Sequence, residues 1–115
     1  MSSDRDKMIP GTLNVLVLTC LSHGPRHGYG VSRWVQEHSA EVLQMEEGVL
    51  YPALHRLERD GLIAAEWGIN DTGRRAKFYA LTARGETALE TELQGWRRRS
   101  AAVNTLLELP RSTES

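Results

Sequence analysis

The stretch EEGVLYPALHRLERDG, residues 46–61, decides the fold. On a helix of about 3.6 residues per turn, Leu50, Ala53, Leu54 and Leu57 fall on one side, and Gly48, Tyr51, Pro52, His55 and Arg59 on the other. The first side is core. The second departs from an ordinary solvated helix back, which would be mostly Glu, Lys, Gln and Ala. An aromatic ring, a proline, a glycine, a histidine and arginines suit contact with something polar and anionic. Proline is comfortable only near the first turn of a helix, so Pro52 places the helix start close to Glu47 or Gly48. Gly61 stands where a left-handed C-terminal stop is needed.

Beyond Gly61 the period changes. LIAAEW (62–67) and FYAL (78–81) are strand-like, and NDTG (70–73) between them is dense turn chemistry. They predict a β-hairpin whose tip and returning strand carry Arg74, Arg75 and Lys77. Thr82 is placed to cap a last helix, with Gly85 three residues on and Glu86 one place late for a capping box. In that helix Leu89, Leu93, Trp96, Ser100, Val103 and Leu107 follow a four-three-four-three-four spacing, a heptad seam about two and a half repeats long. Such a seam either folds back on its own domain or dimerises, and dimerisation is the preferred expectation.

Upstream, residues 1–8 are polar and charged and are expected to fray. Pro10 opens a first helix whose run LNVLVLTCL is apolar on nearly every face, so a second subunit is expected to cover part of it. Leu13, Leu16 and Val17 are assigned to that interface, with Leu89, Leu93, Trp96, Val103 and Leu107 of the last helix. Gly24 and Pro25 stop the first helix. A second runs over residues 29–38 with Val31 and Val35 inward, and residues 42–45 make a short extended link. Three helices, a hairpin with a basic tip and a long last helix are the order of a winged helix-turn-helix. The fold class is therefore mainly α with a small β-hairpin wing: a DNA-binding domain over residues 9–82 and a C-terminal dimerisation helix over residues 83–109. In that fold the third helix enters the major groove, where His55, Arg56 and Arg59 reach base edges or phosphates, while the wing sets cations along the backbone.

Composition agrees without deciding. The chain has 115 residues, enough for one domain with a modest core, and one Phe, three Tyr and three Trp to fill it. Fourteen Lys and Arg against 15 Asp and Glu leave a net charge of −1, so any affinity for DNA rests on where the charge lies. The single cysteine, Cys20, rules out an intrachain disulfide and fits a reducing cytoplasm. The apolar run 13–21 is far short of the roughly 20 residues of a membrane span, and Asp4 and Asp6 spoil a signal-peptide leader. The chain is expected to be soluble and cytoplasmic, with no cofactor.

HGYG (27–30), EEGVLYPALHRLERDGLI (46–63), GRRAKFYALTARG (73–85) and the helix after them together resemble the PadR family of transcriptional regulators, over nearly the whole chain. The resemblance implies a dimeric winged-helix protein, usually a repressor, that binds a pseudo-palindromic operator in double-stranded DNA and leaves it when a small molecule or other signal arrives. It makes Tyr51 a phosphate or groove contact with Pro52, His55 and Arg56 beside it, Tyr29 a phosphate contact, and Arg74, Arg75 and Lys77 the basic wing. In multidrug-responsive members with a single C-terminal helix, a tryptophan pairs with its mate across the dimer and sandwiches flat aromatic effectors; Trp96 occupies the matching position. A tryptophan on a heptad seam also serves as plain packing, and the residues alone leave both roles open.

Other functions fit less well. Cys20 lies in an apolar run where a thiolate is costly, and GYG is too short for a phosphate cradle, so the chain is not read as an enzyme. A metal sensor is a sharper rival: Cys20, His23 and His27 are ligand types near a helix end, with His38 as a fourth. An interaction module without DNA affinity is the third reading, allowed by the near-zero net charge.

Overall fold

A computed structural model describes residues 12–112; the expectations for Pro10 and for the polar segments at either end lie outside these, wholly or in part. The elements are α1 (Thr12–Leu21), β1 (Arg26–His27), α2 (Gly28–His38), α3 (Glu47–Arg59), β2 (Ile63–Ile69), β3 (Arg75–Leu81) and α4 (Ala83–Leu107). The three strands form one antiparallel sheet in the order β1-β3-β2. The fold is the expected mainly helical one, with its hairpin standing against α3.

α1 is the hub. α2, α3, β3 and α4 of the same chain all pack on it, which buries Val15, Val17, Leu18, Cys20 and Leu21. This corrects the expected interface at two positions. Val17 is wholly buried and Leu89 nearly so, both within their own chain, so neither keeps a surface for a partner. Leu13 and Leu16 remain half-buried. The heptad seam of α4 is divided in the same way. Its first turns lie across α1, taking Leu89 into the core with Leu93 half-buried against it, while Trp96, Val103 and Leu107 project beyond the body and stay exposed.

α3 begins at Glu47 as expected, with Leu50, Ala53, Leu54 and Leu57 buried. Pro52, however, is its sixth residue, beyond the first turn, and the amide it lacks would have bonded to the carbonyl of Gly48. The helix end follows the expected chemistry. Gly61 has φ +79°, its amide donates to the Glu58 carbonyl and that of Leu62 to the Leu57 carbonyl, the paired bonds of a Schellman stop.

Both strands of the hairpin run longer than the sequence pattern indicated, and a five-residue loop, 70–74, joins them. The Asn70 side-chain oxygen holds that loop, accepting from the amides of Thr72 and Arg74 and from the Thr72 hydroxyl. Thr82 caps α4 by accepting from the Gly85 amide at 3.0 Å. Gly85 has no room for a side chain: a Cβ there would lie 2.0 Å from the Leu62 carbonyl oxygen, so glycine lets α4 start flush against the sheet.

Candidate nucleic-acid interface

α2 and α3 form the helix-turn-helix. α3 turns Pro52, His55, Arg56 and Arg59 outward together with Gly48, all exposed. Arg59 stands 3.7 Å from the neighbouring Asp60 carboxylate, an open pair on the surface. Val49, which the sequence reading did not select, is also exposed on this helix at its N-terminal end.

Tyr51 is placed differently from its neighbours. It is half-buried, and its ring leans on the first residue of α2, where a Cβ added to Gly28 would come within 2.5 Å of it. Burial and the Glu47 carboxylate push its phenol above the ordinary value, so it remains a hydrogen-bond donor. The start of α2 is set by His27, whose Nδ1 accepts from the Gly30 amide at 3.0 Å. This cap explains the HGYG sequence: histidine caps the helix, and the first glycine makes room for Tyr51. Tyr29 is exposed, and its hydroxyl accepts from Arg33 at 3.2 Å. Arg33 also donates to Glu37, and these two partners hold its guanidinium more firmly protonated than usual.

On the hairpin, Arg74 is exposed on the loop and the Arg75 guanidinium lies 4.5 Å over the exposed Trp67 ring. Lys77 is not the free wing cation that the sequence implied. Its ammonium is 3.3 Å from the Glu58 carboxylate on α3, a contact across elements that no local pattern signals. Lys77 also lies 5.7 Å over the ring of Tyr79, a buried residue that sequence reasoning missed. A signal for it existed: in RAKFY, strand alternation sets Arg75, Lys77 and Tyr79 on one face.

The residues of the metal reading are each engaged elsewhere. Cys20 is buried, and that burial, only partly offset by Arg26, pushes its thiol up to about 11. His23 and His38 pack against the Trp34 ring at 5.3 and 4.5 Å, and His27 caps α2. Among the described residues no group of three or more His, Cys, Asp or Glu is arranged to hold a metal ion. Nor is any described helix long and apolar enough to cross a membrane.

Comparison with known proteins agrees with this geometry. A PadR-like transcriptional regulator of Bacillus cereus is 30% identical, with a TM-score of 0.76 over 91% of this chain and 100% of that one. A PadR family transcription regulator of Clostridium difficile is also 30% identical, with a TM-score of 0.71 over 83% of this chain and 97% of that one. Among curated sequences, "Transcriptional regulator Rv3488" of Mycobacterium tuberculosis is 44% identical over 54 residues, 47% of this chain and half of that protein. The model of the "Transcriptional regulator PadR-like family" matches residues 17–91, from α1 through the hairpin into α4, and the chain belongs to that family of transcriptional regulators, not to an enzyme family.

Proposed function

We propose that this regulator is a cytoplasmic repressor. It acts as a homodimer that lays one α3 from each subunit in the major groove of a pseudo-palindromic operator, sets the hairpin on the flanking backbone, and leaves when a small-molecule or other signal arrives. One observation carries the DNA reading: the exposed side of α3, with His55, Arg56 and Arg59, stands beside a hairpin whose loop and returning strand expose Arg74 and Arg75. In this reading His55 and Arg56 touch base edges, while Tyr29, Tyr51 and the hairpin cations hold phosphates. Trp96 is assigned to a flat aromatic effector at the dimer axis, on the resemblance and on its half-exposed position where α4 leaves the body.

The test is binding to the protein's own upstream intergenic DNA and to a scrambled duplex of equal length, across a salt series. A specific regulator binds the native duplex at least ~1,000-fold more tightly. Weak and equal binding to both would overturn operator recognition at this site. Replacing Arg74 and Arg75 together with Ala should weaken both duplexes alike and lower the slope of log affinity against log salt by roughly two. His55→Ala or Arg56→Ala should change sequence preference, by about 1–3 kcal/mol for each lost base contact.

A further inference from the structure

A pocket of about 390 Å³ opens between the start of α2, α3 and the hairpin, lined by His27, Gly28, Tyr29, Tyr51, Asn70, Ala76, Lys77 and Tyr79. Its polar side chains share one character: they are donors. The Asn70 oxygen is occupied three times over, which leaves its amide N–H groups. With the His27 Nδ1 already accepting, that ring's proton sits on Nε2. Lys77 brings an ammonium, Tyr51 and Tyr79 bring phenols, and among the described residues no carboxylate lines the space.

Tyr79 is the telling residue. It is 3% exposed, yet its hydroxyl has no hydrogen-bond partner among the described residues. No fully occluded side-chain oxygen or nitrogen there lacks a partner, so the hydroxyl is reachable, and the space it borders is this pocket. With no internal partner, this hydroxyl faces only the solvent in the pocket, and an acceptor arriving from outside would take the water's place. Burial raises its titration above the ordinary value, so it stays a donor at neutral pH.

We propose that this pocket is an oxyanion seat, with the Tyr79 hydroxyl as its innermost donor and Tyr51, Asn70 and Lys77 around its mouth. The proposal deepens the DNA-binding reading: beside α3 the natural occupant is a backbone phosphate flanking the major-groove contact, and a free oxyanion has the same chemistry. Glu58 holds Lys77 only through a partly exposed pair, which an arriving phosphate can displace. Tyr79 adds no charge, so its contribution is directional and independent of sequence.

Tyr79→Phe removes the hydroxyl and nothing else. It breaks no internal bond, so Tm should hold or rise. Affinity is compared on the native and scrambled duplexes, and Tm of both proteins is measured in inorganic phosphate against chloride at equal ionic strength. A fall of about tenfold on both duplexes, with the salt slope unchanged, assigns the seat to a DNA phosphate. Unchanged DNA binding, with inorganic phosphate raising Tm of the parent protein but not of Tyr79→Phe, assigns it to a free oxyanion. No effect of the substitution in either arm overturns the seat. Should the parent protein bind neither duplex, the operator reading fails while the phosphate arm still decides this one.

Discussion

A methyl group at position 28 has nowhere to go. The Tyr51 ring stands where it would project, 2.5 Å from the ideal Cβ, and the backbone there is fixed by the cap at His27 and by β1 pairing with β3. Gly28→Ala should therefore move Tyr51 off α2. The expected result is a stability loss of about 1–3 kcal/mol for overpacking, with weaker binding to specific and random DNA alike; wild-type affinity for both would show that the Tyr51 position is unimportant. Cys20 gives a second residue-scale expectation, this time in pH. The folded thiol keeps its proton up to about 11 against an ordinary 9.0, so the unfolded chain releases a proton first as pH rises. The stability from this site is thus complete below about pH 9 and lost as pH approaches 11, by an amount on the order of 2 kcal/mol. Tyr51 and Tyr79, also raised, add a loss of the same sign on the alkaline side. Denaturant melts of the parent protein and Cys20→Ala across this range check it: the variant should show the shallower decline.

At the scale of the element, α3 keeps a proline that helix physics disfavours. Pro52 removes the bond to the Gly48 carbonyl from the middle of a 13-residue helix, and its ring is exposed. Pro52→Ala should stabilise the fold by about 1 kcal/mol or more, the restored helical bond outweighing the freedom returned to the unfolded chain. If Pro52 lies against DNA, the same change should weaken operator binding; a chemical melt and a titration separate the two effects. The two faces of α3 were legible in the sequence because a half-buried helix must repeat its apolar residues at helical spacing, and Gly61 was legible because few residues tolerate its φ. β1 was not, because two residues carry no periodicity and become a strand only by pairing with β3. Likewise Lys77 reads as a free wing cation until the fold brings Glu58 against it from 19 positions away in the chain. The site was legible where it lies on one helix or one loop, and illegible where it is made by three elements meeting.

For the whole molecule, the question is what covers the far end of α4. The chain measures 63 × 33 × 21 Å, elongated well beyond a compact body of this size. On α4, Val103, Leu106 and Leu107 are 52, 67 and 75% exposed, and Trp96 is 37% exposed. The heptad spacing continues through Trp96, Val103 and Leu107, although the intrachain core ends near Leu93. That discontinuity is what a helix shared between two subunits would leave: its first half packed at home, its second half awaiting a partner. Val103→Glu with Leu107→Glu should therefore convert a dimer to a monomer in sedimentation, while the fold of the winged domain, whose core these residues do not enter, stays intact by circular dichroism. Operator affinity should then fall far more than affinity for random DNA, because one α3 alone reads only a half-site. A protein that sediments as a monomer before the substitutions, or a dimer that survives them, would move the interface away from the end of α4 and leave Trp96 with packing as its role.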